Sequence, residues 1–287
     1  MKKVDEFSGL LLIGLLAIFL SGCAGQQLRT KSSVVDYLYP NKSDTAIKPS
    51  IPTLSLPLKV GIAFVPESTR RSGGYRMWSG MYGANNLTEA KKTDLLDKVA
   101  DHFKTQKFVS DIEVIPSAYL TPGGGFSNLE QIKTMYGIDV IALVSYDQVQ
   151  FTDEGVLSLT YWTIIGAYIV SGEKNDTNTM LDTAVYDIAS KKMLFRAPGV
   201  SNVKGRSTPI NLSEELRADS IQSFEEATNS MIANLEIQLE RFKAKIKDKP
   251  EQVQIHYSKG YSGGGSVYLF ELLILMFFVF VKNRVKT

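Results

Sequence analysis

Two kinds of apolar run alternate along this chain. Those at its ends are continuous and bounded by charge: Leu10 to Leu20 behind Lys2 and Lys3, and Val267 to Val281, broken only by Glu271 and followed by Lys282, Arg284 and Lys286. The runs between them are short and periodic. Leu58 to Val65 is apolar, rich in β-formers and closed by Pro66, which predicts a buried strand; Phe108 to Ile115 and Ile138 to Val149 predict two more. Leu95, Leu96, Val99 and Phe103 share one face of a helix expected from about Leu87 to Gln106, with Asn86 as its cap and Glu89 three residues on. Ser127 and Glu130 form a capping-box pattern that opens a short helix carrying Leu129, Ile132 and Met135, stopped by Gly137. Val156 to Val170 and Met180 to Phe195 are β-rich and separated by Gly172-Glu173-Lys174-Asn175-Asp176, which predicts an antiparallel pair. Finally, Ile221, Phe224, Met231, Leu235, Leu239, Phe242 and Ile246 recur near three, four and seven, drawing one stripe along a long helix.

The order β-α-β-α-β-β-β-α predicts an α/β (α+β) fold, a single domain with a mixed β-sheet covered by helices, over residues 58–246. A polar stretch at 23–57, with an apolar island at Val34 to Tyr39, reads as a flexible tether, and 247–262 reads as a linker. The element order resembles the small α/β domain of envelope lipoproteins such as the curli-secretion lipoprotein and the activators of penicillin-binding proteins; no motif accompanies it.

Composition narrows the class. A chain of 287 residues, 44% hydrophobic and 22% charged, is neither disordered nor collagenous. Its 32 basic and 30 acidic side chains are nearly balanced, without the basic bias of a nucleic-acid binder. The lone cysteine, Cys23, excludes an internal disulfide and a cysteine-based zinc finger.

That cysteine ends the run Leu20-Ser21-Gly22-Cys23, behind a charged start and an apolar core laid out as an export signal over 1–22. The four residues resemble the lipobox of bacterial lipoproteins. The resemblance implies that a lipoprotein signal peptidase cuts before Cys23 and that acylation enzymes attach fatty acyl chains, palmitate among them, to anchor it in membrane lipid. Ala24 lacks the aspartate that commonly marks inner-membrane retention. At the other end, Val267 to Val281 covers roughly 22 Å as a helix against a ~30 Å hydrocarbon core, a marginal transmembrane helix whose basic tail favours a cytoplasmic C-terminus. Gly263, Gly264, Gly265 and Ser266 precede it, and glycine keeps such a stretch open to a protease by disfavouring helix. This 263–287 arrangement resembles the GlyGly C-terminal sorting signal, and with the lipobox it resembles the rhombotarget lipoprotein family over the whole chain. The resemblance implies cutting by a rhomboid-type intramembrane protease, the rhombosortase, at the inner membrane, then residence at the outer membrane or cell surface.

Between the ends, catalytic signatures are absent. His102 and His256 are the only histidines, and there is no G-x-S-x-G, HExxH or GxxxxGK[ST]. Asp94, Asp97 and Asp101 share one side of a helix, as a solvated face does. Two loops have binding character: Arg70, Arg71, Tyr75, Arg76 and Trp78 together suit phosphates, sugars or a protein, and Thr121 to Ser127 leads glycines into a helix start, where it reads as a turn. The reading is therefore a non-enzymatic binding or assembly module, without cofactor or metal. An envelope hydrolase and a secretion-pore subunit, for which Tyr161 to Val170 has the length of a barrel strand, stay open as alternatives.

Overall fold

The computed structural model describes residues 26–40, 50–67, 87–154, 173–207, 211–258 and 261. Its elements are β1 (Gln26–Lys31), α1 (Val34–Leu38), β2 (Thr53–Leu56), β3 (Leu58–Phe64), α2 (Glu89–Phe103), β4 (Val109–Val114), α3 (Gly125–Tyr136), β5 (Val140–Glu154), β6 (Glu173–Asp187), β7 (Lys192–Ser207), α4 (Leu212–Asp248) and β8 (Gln254–Tyr257). The fold is mixed α/β, and from β3 to α4 the order is the β-α-β-α-β-β-β-α read from the sequence.

Six strands form the main sheet, in the order β4-β3-β5-β6-β7 with β1 added at β5. Strand β3 lies parallel to both β4 and β5, whereas β5, β6 and β7 follow one another antiparallel. One edge of β5 is shared: β3 pairs with Val140–Val144, and β1, antiparallel, pairs with Asp147 to Thr152. The sheet thus has a lower end at Leu58, Val109, Val140 and Lys192, and an upper end at Thr152, Glu173 and Ser207. The step from β3 to β4 and the return to β5 run in opposite directions across the sheet, so right-handed crossovers put α2 and α3 on opposite faces. Both faces are then buried, as the unbroken run Val140 to Val144 requires. Val140, Ala142, Val144 and Tyr146 pack with α2 and α4, whereas Ile141 and Leu143 pack with α1 and α3.

Several expectations shift on contact with the fold. The first part of the expected tether is built in: Arg29 Nε donates to Asp147 Oδ1 at 2.8 Å, and α1 buries Val34, Tyr37 and Leu38 over α3. The apolar island is a docked helix because its spacing gives one buried face. Likewise β8, in the expected linker, pairs in parallel with β2. Helix α2 is capped by Thr88, whose Oγ1 accepts from Lys91 N at 3.3 Å, while Asn86 lies outside the described residues. Helix α3 starts at Gly125, so Ser127 is already inside it; Gly137 does end it, at φ 64°. The run from Met180 to Phe195 is divided by a turn in which Asp187 Oδ2 accepts from Ser190 N at 2.9 Å, so the hairpin there is β6 against β7. Glu173 to Asp176, expected as a turn, begin β6 opposite the end of β5. Ile221 is 38% exposed, because the face of α4 against the sheet runs through Ser220, Ser223 and Phe224 instead. Among the described residues no helix is long and apolar enough to cross a membrane, and Val267 to Val281 lies outside them.

Helix α4 crosses β7 at backbone distance, and Gly199 is what permits it. A Cβ there would lie 2.2 Å from the Ala227 carbonyl oxygen and 2.6 Å from Met231 N. Neither atom is the movable end of a side chain. Gly199→Ala is therefore expected to cost about 2 kcal/mol or more and to lower the thermal midpoint on the order of 5 °C. An unchanged midpoint in a calorimetric scan would show that α4 is not seated as described.

Candidate functional site

The helices α2 and α4 run side by side over the sheet. Lys91 Nζ reaches Glu225 Oε1 at 2.6 Å, and His102 Nε2 lies 2.6 Å from Glu236 Oε1. Both contacts advance by the same number of residues on each helix, so the pair is parallel over three turns. Beneath the lower part of this pair the packing is incomplete. A cavity of about 100 Å³ is bounded by Val99, Ala100 and Phe103 of α2, by Leu235 and Leu239 of α4, and by a floor from β3 to β7 that includes Leu58, Ile62, Val140 and Ala142. Its inner wall is short where Ala100 and Ala142 each offer only a methyl group. Of the lining residues, Leu58, Ile62, Val99 and Val140 are buried, but Phe103, Phe108, Val109, Leu194, Phe195 and Leu239 are only half-buried. The cavity therefore opens toward the lower end of the sheet.

Aromatic rings frame that opening. The last turns of α4 bring Phe242 against Phe195, ring centroids 5.4 Å apart, and set Lys243 Nζ 4.7 Å over the ring of Phe108. Lys243 also donates to Glu240 at 2.7 Å, so the rim is polar while the interior is not. Among the described residues no titratable side chain lines the cavity. Such a lining suits apolar groups, held by the hydrophobic effect. An enclosed apolar cavity of about 150 Å³ admits a benzene-sized guest, so this smaller space matches a slimmer apolar group.

The upper part of the same interface is built on the opposite principle. There the sheet presents Gln148, Gln150, Asn175, Thr177 and Thr179 to α4, all buried. Gln148 Nε2 donates to Thr179 Oγ1 at 2.8 Å, and Ser220 Oγ donates to Gln148 Oε1 at 2.6 Å. Gln150 Nε2 donates to the Leu216 carbonyl at 2.7 Å, and Ser223 Oγ to Thr179 Oγ1 at 2.7 Å. At the top, Asp219 sits over the paired residues Asn175 and Gly205, where a Cβ on Gly205 would lie 2.4 Å from its Oδ2. That oxygen is buried without a hydrogen-bond partner. Burial first, and the charge of Glu215 second, raise the Asp219 pKa above its ordinary 3.8, against a hydrogen bond from Asn175. The sequence gives this layer no signal, because alternating Gln and Thr on a strand look the same facing a helix or facing water.

The residues singled out from sequence fall in three groups. Cys23 with Leu20, Ser21 and Gly22, the Gly263, Gly264, Gly265 and Ser266 stretch, the Arg70, Arg71, Tyr75, Arg76 and Trp78 loop, and Tyr161 to Val170 lie outside the described residues. Thr121 to Ser127 is a closed turn: Gly124 N donates to the Thr121 carbonyl at 2.8 Å, and Asn128 Oδ1 accepts from Thr121 N at 2.9 Å and from the Tyr37 hydroxyl at 2.8 Å. Asp94, Asp97, Asp101 and His102 are exposed on α2, with Asp101 paired to Lys104 at 3.7 Å, and His256 is exposed on β8. Sequence reading missed the cavity, since its walls come from seven elements brought together only by folding.

No family model matches the chain, and no curated protein matches it. Among solved structures, a neuraminyllactose-binding hemagglutinin homologue from Helicobacter pylori aligns at 10% identity and TM-score 0.38, over 73% of this chain and 98% of that one. The PelC dodecamer from Paraburkholderia phytofirmans aligns at 7% identity and TM-score 0.26, over 72% and 97% of the two chains. Lipoprotein GNA1162 from Neisseria meningitidis aligns at 12% identity and TM-score 0.24, over 57% and 96%. At these values the likeness is distant.

Filling the cavity tests its existence. Ala142→Leu places a larger side chain in the floor, and overpacking a filled core costs about 1 to 3 kcal/mol. Here the expectation is no loss of thermal stability, together with loss of binding of an apolar fluorescent probe. A destabilised protein would mean that the space is already taken. For Asp219 the sign follows from the raised pKa: its stabilising state is the neutral one, fully present below the unfolded value and lost as pH rises through the folded value. Asp219→Asn should match the wild type in acid and melt higher at neutral pH. Parallel melting curves across that range would contradict the assignment.

Proposed function

We propose that this protein is a bacterial envelope lipoprotein, acylated at Cys23 and cut near Gly263 to Ser266 by a rhomboid-type protease, whose domain is a non-enzymatic binding or assembly module. The observation that carries the reading is the place of the single cysteine, directly after Leu20-Ser21-Gly22 and three residues ahead of β1. Acyl chains bury about 0.8 kcal/mol per CH₂, so an acylated cysteine holds a protein in a bilayer without a protein span. The short connection to β1 then seats the upper end of the sheet close to that bilayer. The binding role rests on the cavity, which suits an apolar group on the scale of a short alkyl chain, with Lys243 at the rim for a polar or anionic end.

The hydrolase alternative gains nothing from a cavity without titratable walls. The pore alternative has one observation in its favour: β5 and β6 are paired to their ends at the top of the sheet, Glu154 opposite Glu173, and the β-rich run Val156 to Val170 lies between them in the sequence.

Two variants test the processing. Cys23→Ser should abolish incorporation of labelled fatty acid, and labelled variant protein would refute the acylation. Replacing Gly263, Gly264 and Gly265 with Leu should block the cut and hold the chain at the inner membrane. Leaving uncut would drag Lys282, Arg284 and Lys286 through hydrocarbon, at about 2.5 to 3.5 kcal/mol each on insertion scales. Full-length variant in the outer membrane would contradict the release step.

A further inference from the structure

The strand registers put Gln26 and Tyr261, the first and last described residues, at opposite ends of the domain. Gln26 begins β1 opposite Thr152, at the upper end. The C-terminal side leaves from the lower end: β8 is held against β2, Ser258 N donates to the Leu56 carbonyl at 2.9 Å, Leu56 lies two residues before Leu58 of β3, and Tyr261 N turns back to the Ser258 carbonyl at 3.0 Å. From Val140 to Thr152 along β5 the separation is roughly 40 Å. The covalent links to the two membrane segments are short by comparison. Three Cα–Cα steps lead from Cys23 to Gln26 and six from Tyr261 to Val267, reaches of about 10 Å and about 20 Å.

We infer that the uncut chain is strapped to one bilayer at both ends of its sheet, which lays the domain on the membrane with the cavity mouth beside it, and that C-terminal cutting is what lifts the mouth away. This rests on the two-anchor reading above and assigns the regulation of its binding site. With Gln26 within about 10 Å of the surface and Tyr261 within about 20 Å, their heights differ by at most about 20 Å, so the long axis lies within roughly 30° of the membrane plane. After the cut only the upper end is held. The lower end, where Phe108, Phe195 and Lys243 frame the opening, is then free to stand roughly 50 Å from the surface. The apolar site is thus held near the inner-membrane surface before processing and presented to the envelope after it. Within the two-anchor reading, the β1–β5 and β2–β8 pairings set the orientation, and neither was legible in the sequence.

The test measures energy transfer to a bilayer. Since Cys23 is the only native cysteine and is acylated in this reading, an introduced thiol takes a single dye. Lys107→Cys, beside Phe108 at the lower end, and Lys204→Cys, opposite Asp176 at the upper end, are both exposed positions. Each is carried by the acylated full chain, purified from a host lacking the protease, and by the acylated chain ending at Gly265. All are placed in phosphatidylethanolamine–phosphatidylglycerol vesicles with an acceptor dye on the headgroups. Transfer from position 204 should be alike in both forms, whereas transfer from position 107 should at least halve in the shortened chain. Unchanged transfer from position 107 would overturn the inference while leaving the anchors intact. Failure of the shortened chain to float with the vesicles would instead refute the acyl anchor, and the inference with it.

Discussion

Everything in this molecule depends on strand β5 having both edges and, over its lower half, both faces occupied. Its residues from Val140 to Val144 have no solvent side, so helices must cover the sheet twice. Its free edge above β3 would be a row of unpaired backbone groups, which β1 covers through the register Gln26 to Lys31 against Thr152 to Asp147. A stretch read from its polarity as a tether is therefore recruited as a strand, with Arg29 and Asp147 holding it in register.

The long helix α4 rests on this sheet in two physical regimes. Near its start the contact is a closed hydrogen-bonded layer of Gln, Thr and Ser, in which each buried polar group needs its partner and Asp219 lacks one on Oδ2. Near its end the contact is apolar and incompletely filled, leaving the cavity under Leu235 and Leu239. Hydrogen bonds are directional and fix the upper part, whereas apolar contact is not directional and tolerates a gap below. The cavity thus sits where α4 is held least specifically, at the end of the sheet farthest from Gln26.

Where one face of an element was apolar, the sequence reading located it. Leu95, Leu96 and Val99 line α2 toward the core as spaced, and the β-rich runs at Leu58 and Ile138 are the central strands. It failed where the deciding partner was distant. Ile221 looked like a stripe residue, but the sheet met α4 along Ser220 and Ser223, which found Gln148 and Thr179 across the interface. The caps fall at Thr88, whose side chain accepts from Lys91 N, and at Gly124, which caps without a side chain.

The chain by itself determined the fold class and the order of its central elements, because apolar periodicity along strands and helices is a local property. Only the tertiary structure decided that β1 and β8 belong to the domain, that a polar layer and an apolar cavity share one helix, and that Gln26 and Tyr261 lie at opposite ends of the sheet. These follow from strand register and from walls drawn from many elements, and register is a relation between segments more than a hundred residues apart, such as Gln26 and Thr152.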